Sequence, residues 1–270
     1  MRRNDIGRIT AYDRVTGARS ADRLCASRFI DEIVSDFTEL HGDRRFGDDP
    51  AVIGGIGWIE SRAVTVIGIE KGTTTSERIR HNFGSAHPEG YRKALRLMKQ
   101  AEKFARPIVC FVDTAGAFCG VDAEYRGQGQ AIAENLYEMS ALRTPILSIV
   151  IGEGGSGGAL ALSHADSLWM LEDAYFSVVS PENCANILWK TTERAAEAAE
   201  ALALTAAELK ALNVIDETVP SIDATADKKS IRRYMDNLSA DITRELDRLC
   251  AMNGDELLQR RYCKFRQIGY

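Results

Sequence analysis

Apolar positions follow two rhythms along the chain, one with the helical period and one in short continuous runs. Between Ser20 and Leu40 they stand at Leu24, Ile30, Ile33, Phe37 and Leu40, which predicts an amphipathic helix across that stretch. Ala51 to Ile59 and Ala63 to Ile69 flank Glu60-Ser61-Arg62 and predict a hairpin. Pro88 occupies a favoured first-turn position and opens a helix running to about Ala105. Next come strand 107–113, helix 127–142, strand 145–151, helix 156–165 and short strands near 167–171 and 174–179. Segments 195–212 and 227–249 read as charged helices. In the second, Ile231, Tyr234, Leu238, Ile242, Leu246 and Leu249 form a long stripe that fits either the chain's own core or a partner. The ββ-α-β-α-β order predicts an α/β layer fold.

The run Gly152-Glu153-Gly154-Gly155-Ser156-Gly157-Gly158 interrupts this pattern where a strand passes into a helix. Its bare amides favour negative charge. Gly152, Gly154 and Gly157 fit G-x-G-x-x-G, and Glu172 stands where a ribose-binding acid belongs, but the fingerprint is short and lies past mid-chain. Gly154, Ser156 and Gly158 fit a nucleophile elbow. Its only later histidine, His164, would lie about 12 Å along a continuous helix, beyond hydrogen-bond reach. An oxyanion hole needs only paired backbone N–H groups, each worth roughly 3 kcal/mol. Close helix packing explains one or two glycines and is compatible with such a site, so five favour a ligand. A second turn, Asp113-Thr114-Ala115-Gly116-Ala117-Phe118-Cys119-Gly120, follows the preceding strand, and parallel strands would bring both turns to one pocket. Asp113 is expected to cap its loop rather than act as an acid or base.

These turns and their neighbours carry a family resemblance. Pro88-Glu89-Gly90-Tyr91-Arg92-Lys93-Ala94, Asp113-Thr114-x-Gly116-Ala117, the glycine run, and Ser180-Pro181-Glu182-x-Cys184-Ala185-x-Ile187-Leu188-Trp189-Lys190 occur in one order. In these motifs the chain resembles the α subunit of bacterial acetyl-CoA carboxylase carboxyltransferase. The likeness extends to His41-Gly42-Asp43-Arg44, Gly54-Gly55-Ile56 and Val214-Ile215-Asp216. It departs at Leu24, Ala115, Phe118 and Cys119, where the family usually has Pro, Pro, Tyr and Pro. The missing prolines and hydroxyl make none of the last three positions a catalytic essential.

The resemblance implies a crotonase-like superhelix of ββα units with flanking helices. It divides the chain into an N-terminal segment, 1–18, a carboxyltransferase domain, 19–250, and a C-terminal tail, 251–270. It implies transfer of a carboxyl group from carboxybiotin, held on a carrier protein, to acetyl-CoA, giving malonyl-CoA for fatty acid synthesis. The partners implied are a zinc-ribbon β subunit in an α2β2 assembly, the biotin carboxyl carrier protein and biotin carboxylase. Gly157 and Gly158 would form the oxyanion hole for biotin, Gly154 and Gly155 would shape the turn, and Gly116, Ala117 and Phe118 would face the same pocket. Two alternatives stand beside it: a stand-alone crotonase-like acyl-CoA hydratase or hydrolase, and a purely structural subunit that binds the partner but tolerates loss of the glycines.

Composition narrows rather than identifies. The 270 residues, 45% hydrophobic, are enough for one large core, and a net charge of −5 gives no basic surface for nucleic acid. No stretch reaches the roughly 18 apolar residues of a membrane helix, and the N-terminus has no signal-peptide core. The six cysteines, Cys25, Cys110, Cys119, Cys184, Cys250 and Cys263, stand singly without nearby histidines, so no metal is expected in this chain and a reducing cytoplasm is. Lys71, Arg78 and Arg80 fit either phosphate contacts or a solvated loop, and no P-loop pattern occurs.

Overall fold

A computed structural model of the chain describes residues 9–269, so residues 1–8 of the expected N-terminal segment lie outside the described residues. The hairpin forms as expected: β2 (Val52–Ile59) pairs antiparallel with β3 (Arg62–Ile69) around a two-residue turn at Glu60 and Ser61. From β3 the sheet continues in parallel through β4 (Ile108–Thr114), β5 (Ile146–Gly155), β6 (Ser167–Leu171) and β8 (Glu217–Val219). Every residue of β4, β5 and β6 is buried, as in strands covered on both faces, and the apolar residues that predominate in them fit that setting. Crossover helices α4 (Pro88–Lys103) and α6 (Gln128–Ala141) connect the first parallel strands.

Two expectations are corrected. The helix expected across Ser20–Leu40 ends early: α2 (Ala26–Ile33) is followed by a strand, β1 (Ser35–Glu39), on the edge of β2. The cause lies in β2, whose bare Gly55 and Gly57 let the incoming backbone press close. A Cβ at Gly55 would stand 2.2 Å from the Thr38 carbonyl oxygen, and one at Gly57 2.9 Å from that of Ser35. β5 also runs four residues beyond Ile151. Gly154 and Gly155 pair with Phe176 and Ser177 of β7 (Tyr175–Ser177), and Gly154 aligns with Thr114. The glycine run is thus more than half strand, and the junction lies at Ser156, where α7 (Ser156–Ser163) begins.

The C-terminal helices belong to the same core. Along α11 (Lys228–Cys250), Ile231, Leu238, Ile242, Leu246 and Leu249 of the expected stripe are buried, together with Met235, and Tyr234 packs half-buried against the main core, so the stripe faces the chain's own interior. In α12 (Gly254–Gln267), Arg261 is only 1% exposed. Its Nε and Nη2 bind Asp166 at 2.9 and 2.7 Å, and Nη1 reaches the carbonyls of Met139 and Leu142. Breaking such a fully satisfied buried pair costs about 3–5 kcal/mol.

At the other end, α1 (Ala11–Ala18) buries Val15 and is pinned through the next residue. Arg19 forks onto both carboxylate oxygens of Glu182 at 2.7 and 3.1 Å, in α8 (Pro181–Trp189), and its Nε reaches Glu153 in β5 at 3.1 Å. The Arg19 hydrogen bonds hold Glu182 down at about 2. Because Glu182 titrates lower in the folded chain than in the unfolded one, the pair contributes stability above the ordinary carboxylate range and loses it as pH falls toward about 2. Arg19→Gln is therefore expected to lower the melting temperature at pH 7 by an amount corresponding to about 1–2 kcal/mol, and by clearly less at pH 3. Thermal denaturation of both proteins across that range measures it, and an equal loss at both pH values would contradict the assignment.

Candidate active site

The parallel register puts the carboxyl ends of β4 and β5 side by side, so the 115–120 turn faces the start of α7. Packing accounts for four of the five glycines in the run. A Cβ at Gly152 would stand 2.6 Å from the Asp113 carboxylate, at Gly154 2.5 Å from the Phe176 ring, and at Gly155 2.1 Å from the Ala115 carbonyl oxygen. At Gly158 it would stand 2.5 Å from the Ala117 nitrogen and 2.9 Å from the Tyr91 hydroxyl. Gly157 differs, with only the Ile132 side chain nearby at 3.6 Å. Across the gap, Gly116 has open space where a Cβ would point and adopts φ +149°, which favours glycine.

Hydrogen-bond accounting picks out the free donors. The Gly116 N–H binds Thr114 Oγ1 at 3.0 Å and the Phe118 N–H binds the Ala86 carbonyl at 3.0 Å. Between them, the Ala117 N–H has no partner among the described residues. At the head of α7 no side chain caps the first turn, so the leading amides of Ser156, Gly157 and Gly158 lack intrahelical acceptors. The helix dipole adds positive potential at the same end. The turn itself is fastened: Gln128 Nε2 donates to the carbonyls of Ala86 and Phe118 at 2.8 and 2.9 Å, and the Phe118 ring lies 4.1 Å from that of His87.

Beneath these amides lies a buried charge cluster. Glu153 accepts from Lys71 Nζ and from the Tyr175 hydroxyl at 2.7 Å, while its own N–H donates to Asp113 at 2.9 Å. Burial opposes ionisation of Glu153, but Lys71 and Tyr175 outweigh it and hold its carboxyl below the usual range. Asp113 is pushed up by burial, with Lys71 3.7 Å away opposing the shift. Asp113 thus ties β4 to β5 rather than capping its own loop. Lys71 is committed to this cluster and is neither a phosphate ligand nor a solvated lysine. Arg78 donates to the Gly72 carbonyl at 3.3 Å, and Arg80 is exposed.

The side chains needed by the competing chemistries are elsewhere. Ser156 has φ +52°, the strained setting of a nucleophile elbow, but its hydroxyl has no partner among the described residues. His164 stacks on Phe265 at 3.9 Å, and burial lowers it to about 4. Gly152 and Gly154 lie in strand rather than in the tight turn that a dinucleotide fingerprint needs, and Glu172 is exposed beyond β6. Cys110 is buried in β4, whereas Cys119 is exposed in the turn. Two contributors were not singled out from sequence as site residues. Tyr91 reads as one more large residue on a helix, and Glu153 as the spacer in a glycine run, so neither announces its partner.

Parallel strands that carry paired turns at their carboxyl ends fit the crotonase-like fold implied by the motifs. Solved structures agree. Transcarboxylase 12S with methylmalonyl-coenzyme A and methylmalonic acid bound superposes with a TM-score of 0.64 at 20% identity, covering 86% of this chain and 43% of that one. A Pseudomonas malonate decarboxylase hetero-tetramer in complex with coenzyme A gives a TM-score of 0.64 at 17% identity, over 80% of this chain and 86% of that one. At such identities the likeness is one of fold. The chain belongs to the acetyl co-enzyme A carboxylase carboxyltransferase-like family, which it matches over residues 1–269. It is 55% identical over 261 residues to the acetyl-coenzyme A carboxylase carboxyl transferase subunit alpha of Ruminiclostridium cellulolyticum, covering 97% of this chain and 98% of the relative. It is 53% identical over 268 residues to that of Clostridium perfringens, covering 99% and 98%.

The glycine geometry separates scaffold from site. Gly155→Ala drives a methyl group into the Ala115 backbone and is expected to cost about 3 kcal/mol or more. Gly157→Ala meets only Ile132 and is expected to change stability by less than about 1 kcal/mol. Urea denaturation of the two variants checks the contrast, which equal losses would contradict.

Proposed function

We propose that this chain is the α subunit of the carboxyltransferase component of acetyl-CoA carboxylase and supplies the half of the active site that receives biotin. The observation that carries this reading is the set of backbone donors without partners among the described residues, the Ala117 N–H and the leading amides of α7, brought together where the 115–120 turn packs on the head of α7. These donors fit the ureido oxygen of biotin, a neutral urea acceptor that gains negative charge when the carboxyl group leaves. Carboxybiotin on its carrier protein would release its carboxyl group as CO2, leaving a biotin anion that takes the acetyl proton, and the acetyl carbon so freed would then add to the CO2 to give malonyl-CoA. The chain's own part is to bind the ureido oxygen through Gly157, Gly158 and Ala117. Gly154 and Gly155 hold the strand against the Gly116 turn, and Phe118 walls it.

The proposed partner for the acyl-CoA half is a zinc-ribbon β subunit in an α2β2 assembly, served by biotin carboxylase and the carrier protein in the cytoplasm. Exposed apolar side chains on two helices, one of them directly after the 115–120 turn, support such a partner. They include Val121 and Tyr125, 71% and 87% exposed, on α5 (Val121–Tyr125), and Ile187 and Leu188 on α8. We assign residues 19–250 to the carboxyltransferase domain, with 1–18 and 251–270 flanking it.

Co-expression with a cognate β subunit tests this reading through malonyl-CoA-dependent carboxylation of free biotin. Activity is expected only from the pair. Gly157→Val is expected to lower it about 100-fold while assembly persists. Turnover by this chain alone would establish a stand-alone acyl-CoA enzyme instead, and near-normal turnover of the Gly157→Val pair would remove Gly157 from the site.

A further inference from the structure

The run from Gly152 to Gly158 has one residue in the left-handed region of backbone space, and it is not a glycine. None of Gly152, Gly154, Gly155, Gly157 and Gly158 has a positive φ, whereas Ser156 adopts φ +52°. A side chain at such a φ crowds the backbone, and glycine adopts it without that cost. Ser156 thus carries a side chain at the one place in the run where losing it would relieve strain. No contact within the protein offsets the strain: the Ser156 hydroxyl has no partner among the described residues, caps no amide of α7, and belongs to an exposed residue.

The left-handed residue of a sharp strand-to-helix turn lifts its side chain clear of the backbone at the head of the helix, as in a nucleophile elbow. Here the histidine that would activate the hydroxyl, His164, stacks on Phe265 instead, so the hydroxyl can hold a ligand but has no base to make it attack one. In every rotamer it stays within about 4 Å of its own backbone nitrogen, so an acceptor oxygen bound by the leading amides of α7 lies within its reach. The approach is open. Gly157 is only half-buried, Cys119 in the facing turn is exposed, and Gly116 has open space where a Cβ would point.

We propose that the Ser156 hydroxyl is a further hydrogen-bond donor of this site, binding the ureido oxygen of biotin together with the leading amides of α7. This role rests on the biotin-binding reading above and adds a side chain to a site otherwise made of backbone. The left-handed backbone at 156 is then strain held at a functional position, where it aims the hydroxyl at the ligand.

Two substitutions separate the hydroxyl from the strain: Ser156→Gly removes both, and Ser156→Ala removes the hydroxyl alone. Without a ligand, Ser156→Gly is expected to melt at the parent's temperature or higher. Assembled with the β subunit, both variants are expected to lose about 10-fold in kcat/KM for free biotin, with KM for malonyl-CoA unchanged. Unchanged biotin kinetics in Ser156→Ala would overturn the proposal. So would a loss confined to Ser156→Gly, which would trace to a loosened turn, or a clear drop in its melting temperature, which would make the side chain a part of the fold. An equal fall in affinity for malonyl-CoA would also overturn it, since the substitutions would then act on the whole assembly. Gly157→Val measured alongside separates the two levels. If that variant is slow and the Ser156 variants are not, only the role of Ser156 falls; if all three retain full biotin turnover, the biotin-binding reading falls as well.

Discussion

The close approach of two backbones, the end of β5 against the turn after β4, is the constraint on which the rest of this site depends. Gly155 can lie against the Ala115 carbonyl and Gly158 against the Ala117 amide only because neither carries a side chain. The contact makes neighbours of the head of α7 and the centre of the opposite turn, and with them the N–H groups that have no partner among the described residues. A site built from backbone in this way needs no reactive side chain, but it needs the strands held to a fraction of an ångström.

That precision comes from beneath the turn. Glu153 sits within the glycine run, and Lys71, Tyr175, Arg19 and Asp113 reach it from β3's exit, β7, α1's end and β4. A carboxylate so deeply buried persists because cations and donors surround it, and the arrangement fixes β5 in both directions. Arg19 continues from Glu153 to Glu182, which carries the restraint to α8 on the far side of β7. The N-terminal helix thereby steadies β5, and Arg261 fastens the C-terminal helix through Asp166.

Much of this was legible in the chain itself. The hairpin, the parallel strands and the helices beginning at Pro88 and Gln128 follow from period and composition, and the motif order points to the family. What escaped depends on distant neighbours. Ser35–Glu39 reads as helix because Ile33, Phe37 and Leu40 keep a helical spacing; only the bare glycines of β2 make it an edge strand. Gly152–Gly155 reads as turn because glycine is a poor strand former, yet pairing with β7 overrides that preference. Lys71 meets a partner 82 residues away, and the free state of the Ala117 amide depends on which bonds its neighbours make. The glycines raised a ligand argument from number alone, whereas the structure explains four of them by packing and leaves Gly157 and Gly116 as the open positions.

The most direct test is a structure of the assembled α and β subunits with free biotin bound. The account predicts the ureido oxygen of biotin within about 3.2 Å of the backbone nitrogens at the head of α7, on the side facing Ala117. Biotin bound with that oxygen on the β subunit, or with only its valerate chain reaching this gap, would contradict it.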